Sequence, residues 1–450
     1  MKKLFIFSIT SFSAFALLVF ILNNTSNFSK IIDSDKKYSP AKVVKNQNFN
    51  SANEAINYKN ILYQDMSTGE INYAQLAKAK SKVRSKMNSK SSSFSFVEEG
   101  PDNIGGRTRA IAIHPTDDRI MFAGSVSGGL FKSTNGGNNW FRVAEFDDAM
   151  LNSATGSGSL GVSSIAITKD SVLYVATGGS QFEGSLDSEG SANINGDGLW
   201  YSESLTNLSF TQLDGTDNDD IHKVVVDPIN NNSVYYVGQS DGLRYAQNYE
   251  SINIAGTGSS SKILDFKISN DGQVIILGFT SGTRIETLVS QDGGSSWENM
   301  HDNQQLQAFG AGRSEYSISA NKHFDSDLQD SVYVLYTVFA SNSGTLYGVY
   351  RSEDNGTNWC QIGQYTNGFT PLTSLNGQGN YDLIILSADD GESCILGGIN
   401  LWRWQHSTGS SCLSCQWNQM TYSFAPSFTG VYTHADNHML LYNNNGDLIV

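Results

Sequence analysis

A chain of 450 residues that is 39% hydrophobic, 11% aromatic and only 16% charged carries too much apolar material to stay disordered and is too long for one small core. Its net charge of −15 excludes a phosphate-binding surface, which needs concentrated Lys and Arg, and with it nucleic acid as a partner. The 43 glycines against 6 prolines, set among Asn, Ser and Asp between short apolar runs, describe a chain that turns often and builds little long helix, so the fold class is all-β.

The charge is unevenly divided. Residues 1–95 hold 14 Lys and Arg against 5 Asp and Glu, and the remainder holds 15 against 39. The first part opens Met1-Lys2-Lys3 and runs apolar for 19 residues from Leu4 to Leu22. Residues 1–24 therefore read as an export signal, either a cleaved signal peptide or a retained signal anchor; Ser8, Thr10, Ser11 and Ser13 weaken the anchor. Residues 25–92 are Lys, Ser and Asn with few large apolar groups, a basic flexible linker that cannot bury enough surface to offset ordering entropy. Within it, Tyr73 to Lys86 has Ala and Leu on one side and Lys and Arg on the other, the pattern of a short solvated helix.

Residues 93–450 change to short strands bounded by Gly, Asn and Asp. One hairpin recurs three times: Ser133-Thr-Asn-Gly-Gly-Asn-Asn-Trp140, Ser290-Gln-Asp-Gly-Gly-Ser-Ser-Trp297 and Ser352-Glu-Asp-Asn-Gly-Thr-Asn-Trp359. In the shared form, Ser133, Ser290 and Ser352 open the turn. Asn135, Asp292 and Asp354 bond back to backbone N–H groups, Gly137, Gly294 and Gly356 take the left-handed position, and Trp140, Trp297 and Trp359 start the return strand with their rings in the core. A pair of apolar strands accompanies the repeat, as in Ala110–Pro115 with Ile120–Gly124, Ser164–Ile167 with Val172–Ala176 and Lys223–Pro228 with Val234–Gly238. Further pairs follow at Leu264, Tyr316 and Asp382, and His438–Tyr442 opens a seventh. Repeated units of about four strands are the blades of a β-propeller, here about seven with the last one incomplete. Phe94–Gly100 resembles the strand Trp140–Glu145 and reads as an outer strand donated to that last blade.

The Ser-x-Asp/Asn-x-Gly-x-x-Trp hairpins resemble the Asp-box (BNR) repeats of sialidases, of xyloglucanase-type glycoside hydrolases and of sortilin-type receptor domains. Glu99–Arg109, Ser67–Ile71 and His434-Ala-Asp-Asn-His438 together resemble the exported sortilin-like propellers of Bacteroidetes type IX secretion. That resemblance implies later domains, so the propeller is expected to be C-terminally truncated in this chain.

The box carboxylates read as turn staples, since Asn135 accepts the same bonds but cannot serve as a general acid. Against the sialidase pattern, Gly106-Arg107-Thr-Arg109 is not the first-blade arginine motif. Where the xyloglucanase-type pattern has Asp-Val-Gly-Gly, this chain has Ser125-Val126-Ser127-Gly128-Gly129, without the acid. The expected function is thus a non-catalytic binding or structural module outside the cell; the alternative is a glycoside hydrolase of β-glucan-type polysaccharide, which needs two carboxylates across a cleft.

Aligning the blades on their apolar cores puts Arg109, Ser163, His222, Asp382 and His438 at equivalent inner-strand positions, with Arg107 and Asp436 two residues earlier. Residues at i and i+2 share a strand face, so these groups would ring one mouth of the central channel, with Arg107 or Arg109 within about 15 Å of Asp436. His434, Asp436 and His438 span about 13 Å along a strand, so one ion could take only two of them, and neither metal nor cofactor is expected. Cys360, Cys394, Cys412 and Cys415 could form disulfides in three connectivities; Cys412-Leu-Ser-Cys415 lacks the second close pair of a zinc site. The expected partner is an extracellular polysaccharide or protein, with membrane contact only through an uncleaved N-terminal segment.

Overall fold

The computed structural model describes residues 78, 82, 107–153, 160–178, 196–238, 242–254, 262–282, 284–300, 306, 310–326, 328–364, 377–407, 417–423 and 431–450. The export signal, most of the linker, the strand expected at Phe94–Gly100, and Cys412 and Cys415 lie outside them. Lys78 and Lys82, within the expected linker helix, are helical and exposed. Among the described residues no helix is long and apolar enough to cross a membrane.

The protein is a β-propeller, with six four-stranded antiparallel sheets among the described residues. Blade 1 is β1 (Thr108–His114), β2 (Asp117–Ser125), β3 (Leu130–Ser133) and β4 (Phe141–Arg142). Blade 2 is β5 (Val162–Ile167), β6 (Leu173–Thr177), β7 (Leu199–Ser202) and β8 (Thr211–Gln212). Blade 3 is β9 (Lys223–Val226), β10 (Val234–Val237), β11 (Leu243–Gln247) and β12 (Glu250–Asn253). Blade 4 is β13 (Ile263–Ile268), β14 (Ile275–Ser281), β15 (Arg284–Ser290) and β16 (Glu298–Asn299). Blade 5 starts with β17 (Ala311–Ile318), extends through a hairpin of β18 (His323–Asp325) and β19 (Asp330–Val332), and continues as β20 (Leu335–Ser341), β21 (Leu346–Ser352) and β22 (Cys360–Gln364). Blade 6 is β23 (Ile384–Ser387), β24 (Ser393–Gly397), β25 (Trp402–Gln405) and β26 (Trp417–Gln419). A short parallel pair, β27 (Thr421–Tyr422) with β28 (Val431–Tyr432), leads to an antiparallel hairpin of β29 (Leu441–Tyr442) and β30 (Leu448–Ile449).

Strand periodicity builds the ring. Alternate side chains point to opposite faces, so β6 sends Leu173 and Val175 into the core shared with blade 1 and Tyr174 and Ala176 into the core shared with blade 3. The same division repeats at each junction up to blades 5 and 6, where Leu383 and Ile385 face one way and Ile384 and Leu386 the other. The inner strands β1, β5, β9, β13, β17 and β23 touch in that order. Leu440, Tyr442 and Leu448 pack β29 and β30 against blade 6. On the other side, Asn444 donates from its backbone N to Asp118 Oδ1 at 3.0 Å and from Nδ2 at 2.6 Å, and Asn445 Nδ2 donates to Asp118 Oδ2 at 2.9 Å. The seventh unit thereby joins blade 6 to blade 1. Among the described residues it holds a pair of strands, β29 and β30, where the sequence suggested an inner strand with an outer strand donated from Phe94–Gly100, which lies outside them.

The expected outer strand Trp140–Glu145 is cut to Phe141–Arg142, because helix α1 (Ala144–Asn152) takes over and inserts Phe146 and Met150 into the core between blades 1 and 2. Close packing also explains Gly124, where a Cβ would collide with Val162 on the next inner strand.

Candidate functional site

The three repeat hairpins join the third and fourth strands of blades 1, 4 and 5. Their chemistry is the same in each. Gly137, Gly294 and Gly356 donate from N to Ser133, Ser290 and Ser352 Oγ at 2.9, 2.8 and 2.9 Å. Asn139, Ser296 and Asn358 donate from N to the Oδ1 of Asn135, Asp292 and Asp354 at 2.9, 2.8 and 2.8 Å. The turn needs two successive positive-φ residues, Gly136 and Gly137 (69° and 82°), Gly293 and Gly294 (70° and 89°), or Asn355 and Gly356 (57° and 93°), which Gly and Asn tolerate best. Side-chain and backbone hydrogen bonds from Ser296 hold Asp292 down at about 2. One expectation holds only in part: the tryptophan rings lie over the turn, and those of Trp297 and Trp359 pack against the edge of the core rather than inside it. Trp140 is 38% exposed, and Trp297 and Trp359 are half-buried, because the two-residue left-handed turn lifts the ring onto its own glycine; Trp359 Nε1 donates to Gly356 O at 2.8 Å.

The inner strands carry a different device. In β1, β5, β13 and β17 the ladder slips by one residue at the same place, between Thr108 and Ala110, Val162 and Ser164, Ile263 and Asp265, and Ala311 and Arg313. Bulges re-aim side chains, and Arg109 and Ser163 occupy two of them, buried. From there, polar side chains bolt each blade to the next. Ser163 Oγ donates to Ile221 O. Asp265 Oδ2 accepts from Tyr316 N at 2.8 Å. Arg313 donates to Tyr381 O at 2.7 Å, Leu383 O at 2.9 Å and Glu315 Oε1 at 2.9 Å. His222 is buried beside Ile263, and burial, with Lys262 nearby, pushes its imidazole down to about 3.

At blades 6, 7 and 1 the arrangement changes. The Arg107 guanidinium stands 5.2 Å over the Tyr381 ring, whose centroid is 4.7 Å from the His438 ring, edge to face. Asp382 is fully buried, and neither carboxyl oxygen has a hydrogen-bond partner on another residue. Burial, then Asp436, raise it to about 8 against the pull of Arg313. Neither ring nitrogen of His438 has a hydrogen-bond partner, and burial, then Arg109, Arg313 and Arg107, push it down to about 3. Both shifts favour the uncharged forms, a carboxylic acid and a neutral imidazole. Asp436 is half-buried in a left-handed conformation (φ 72°), and Asn437 pins the segment to Gly398 O through N at 2.9 Å and Nδ2 at 2.6 Å.

This bend corrects the expected seventh inner strand. Residues 433–440 are not strand, so His434, Asp436 and His438 do not share a face by alternation. His434 is exposed, its Nδ1 3.0 Å from Ala435 O. Among the described residues, no group of three or more His, Cys, Asp or Glu is placed to hold a metal ion. Cys360 is disulfide-bonded, whereas Cys394 is a free thiol in the core of blades 5 and 6, raised by burial.

Sequence reasoning missed Lys223, Asp265, Lys267, Arg313, Glu315 and Tyr381. The signal was present: Asp265 and Lys267, like Arg313 and Glu315, are charges at i and i+2 inside apolar inner strands, a spacing that puts both on one face.

No protein-family model and no curated protein sequence matches the chain. Among solved structures it is similar to an ancestral GH74 enzyme at 15% identity and a TM-score of 0.49, over 76% of this chain and 46% of that one. It is similar to a GH74 xyloglucanase from Xanthomonas campestris at 13% identity and a TM-score of 0.34, over 69% and 58%. YCF48 bound to a D1 peptide matches at 11% identity and a TM-score of 0.30, over 50% and 63%. The chain thus spans about half the length of the GH74 structures. The propeller itself is argued from the six sheets and their ring.

Proposed function

We propose that this chain is an exported, non-catalytic β-propeller of the Asp-box (BNR) kind that binds an extracellular polysaccharide or protein at one mouth of its channel. Residues 1–24 serve as signal peptide or anchor and 25–92 as linker. Arg107, Asp436 and His438 meet the ligand, while the buried Arg109, Asp382 and His222 lie behind them. The reading is carried by Asp382, a fully buried carboxyl without a partner on another residue. A buried polar group left so costs about 1–3 kcal/mol, a cost that a fold retains where function requires the group.

A second reading is favoured by one observation. An acid held protonated beside a second carboxylate, Asp382 beside Asp436, is the pairing an inverting glycoside hydrolase requires. One experiment separates the two: the protein is titrated with soluble xyloglucan and mixed-linkage β-glucan while reducing ends are assayed. Saturable binding without new reducing ends, weakened at least about tenfold by Asp382→Ala, supports the binding module. Release of reducing ends that Asp382→Asn abolishes supports the hydrolase. Binding that Asp382→Ala and His438→Ala both leave intact overturns the mouth as the site.

A further inference from the structure

Near the axis, blades 3, 4 and 5 bring together a second charged cluster. Lys223 on β9 forms an ion pair with Asp265 on β13, and Lys267, two residues along β13, reaches the same carboxylate at 3.2 Å. The neighbouring acid, Glu315 on β17, is engaged by Arg313 at 2.9 Å. One carboxylate therefore serves two amino groups, and each amine feels the charge of the other. One carboxylate cannot balance two neighbouring ammonium groups, so loss of a proton from one of them relieves their repulsion.

The surroundings select which. Burial opposes the Lys223 charge, but Asp265 and Glu315 outweigh it and the ammonium is stabilised. For Lys267, burial, only partly offset by Asp265 and reinforced by Lys223, lowers the amine to about 8. Burial, then Asp265, push Glu315 up against the pull of Arg313, Lys223 and Lys267. Asp265 is 1% exposed, whereas the Lys267 side chain keeps 26% of its surface accessible. A small reagent can reach the amine while the carboxylate that positions it stays inside.

We propose that Lys267 is a nucleophilic amine that captures small aldehydes as a reversible imine, with the Lys223 ammonium as its proton source. A lysine beside a second cation is activated in this way. The Nζ lone pair forms a bond to the carbonyl carbon, and the carbonyl π pair moves to oxygen, which takes a proton from Lys223. The carbinolamine then loses that oxygen as water, the two amine hydrogens balancing the departing water once Lys223 is reprotonated. No oxidant or reductant is involved.

The test treats the whole protein with glycolaldehyde and sodium cyanoborohydride at pH 7.5, which reduces the imine to a stable hydroxyethyl amine, and maps the adducts by peptide mass spectrometry. Lys267 should label at least about tenfold faster than exposed Lys169, because an ordinary lysine keeps only about a thousandth of its amine free at that pH. The Lys267 rate should level off near pH 8 while that of Lys169 still climbs. In Lys223→Met, Lys267 labelling at pH 7.5 should fall at least about fivefold with Lys169 unchanged. Labelling of Lys267 no faster than Lys169, or parallel pH profiles in the wild-type protein, overturns the proposal, and neither result depends on the variant folding.

Discussion

The junction between blades 5 and 6 and the seam between the last hairpin and blade 1 both close the same ring, by opposite means. At the first, Tyr336, Val338, Leu396 and Trp404 are all fully buried in one apolar core, and even Arg351 is absorbed there, 5.9 Å over Tyr336 and 5.5 Å over Trp404. At the second, Asn444 and Asn445 reach Asp118 by directional hydrogen bonds. Apolar area stabilises without demanding geometry; hydrogen bonds demand geometry and each contributes only about 1 kcal/mol net. Among the described residues the seam is therefore held less firmly than that junction, and it flanks buried Asp382 and half-buried His438, whose polar atoms lack hydrogen-bond partners.

The sharpest way to break this contrast is Trp404→Ala, which should cost about 3–5 kcal/mol by chemical denaturation, as for large buried aromatics. A cost below about 1 kcal/mol would mean that the junction is not the stronger of the two. Trp297→Ala should cost less, about 1–3 kcal/mol, because the ring is half-buried over its turn; equal costs for the two would restore the core position that the sequence suggested. Asp118→Ala should cost about 1–2 kcal/mol and raise amide exchange in residues 431–450 while leaving blades 2 to 5 unchanged. If exchange rises everywhere, the seam holds the whole ring rather than its last unit.

The smallest effect is on pH dependence. Asp382 has its folded value raised to about 8, so its protonated form suits the fold. Its contribution is complete below the unfolded carboxylate value near 3.9 and is lost as pH rises from there through about 8. His438, lowered to about 3, acts in reverse: its contribution is complete above about 6.5 and is lost as pH falls toward 3. Asp382→Asn should therefore flatten the decline in melting temperature between about pH 5 and 8, and His438→Gln the decline below about pH 6. An unchanged slope in Asp382→Asn would show that the carboxyl is already ionised in the fold.

The sequence by itself determined the propeller, because alternation such as Leu173, Tyr174, Val175 and Ala176 is a local property that dictates two buried faces and hence a neighbour on each side. It also determined the hairpin turns, since Ser, Asp or Asn and Gly act over five residues. Tertiary structure alone decided where Trp140, Trp297 and Trp359 came to rest, because their burial depends on how far the turn lifts the return strand from the sheet. It decided, too, that the segment of His434, Asp436 and His438 bends at Asp436 instead of running as a strand, and that Lys223, Asp265, Lys267, Arg313 and Glu315 meet across three blades. Those encounters are set by ring geometry and inner-strand bulges, which join residues dozens of positions apart and leave no periodic trace in the chain.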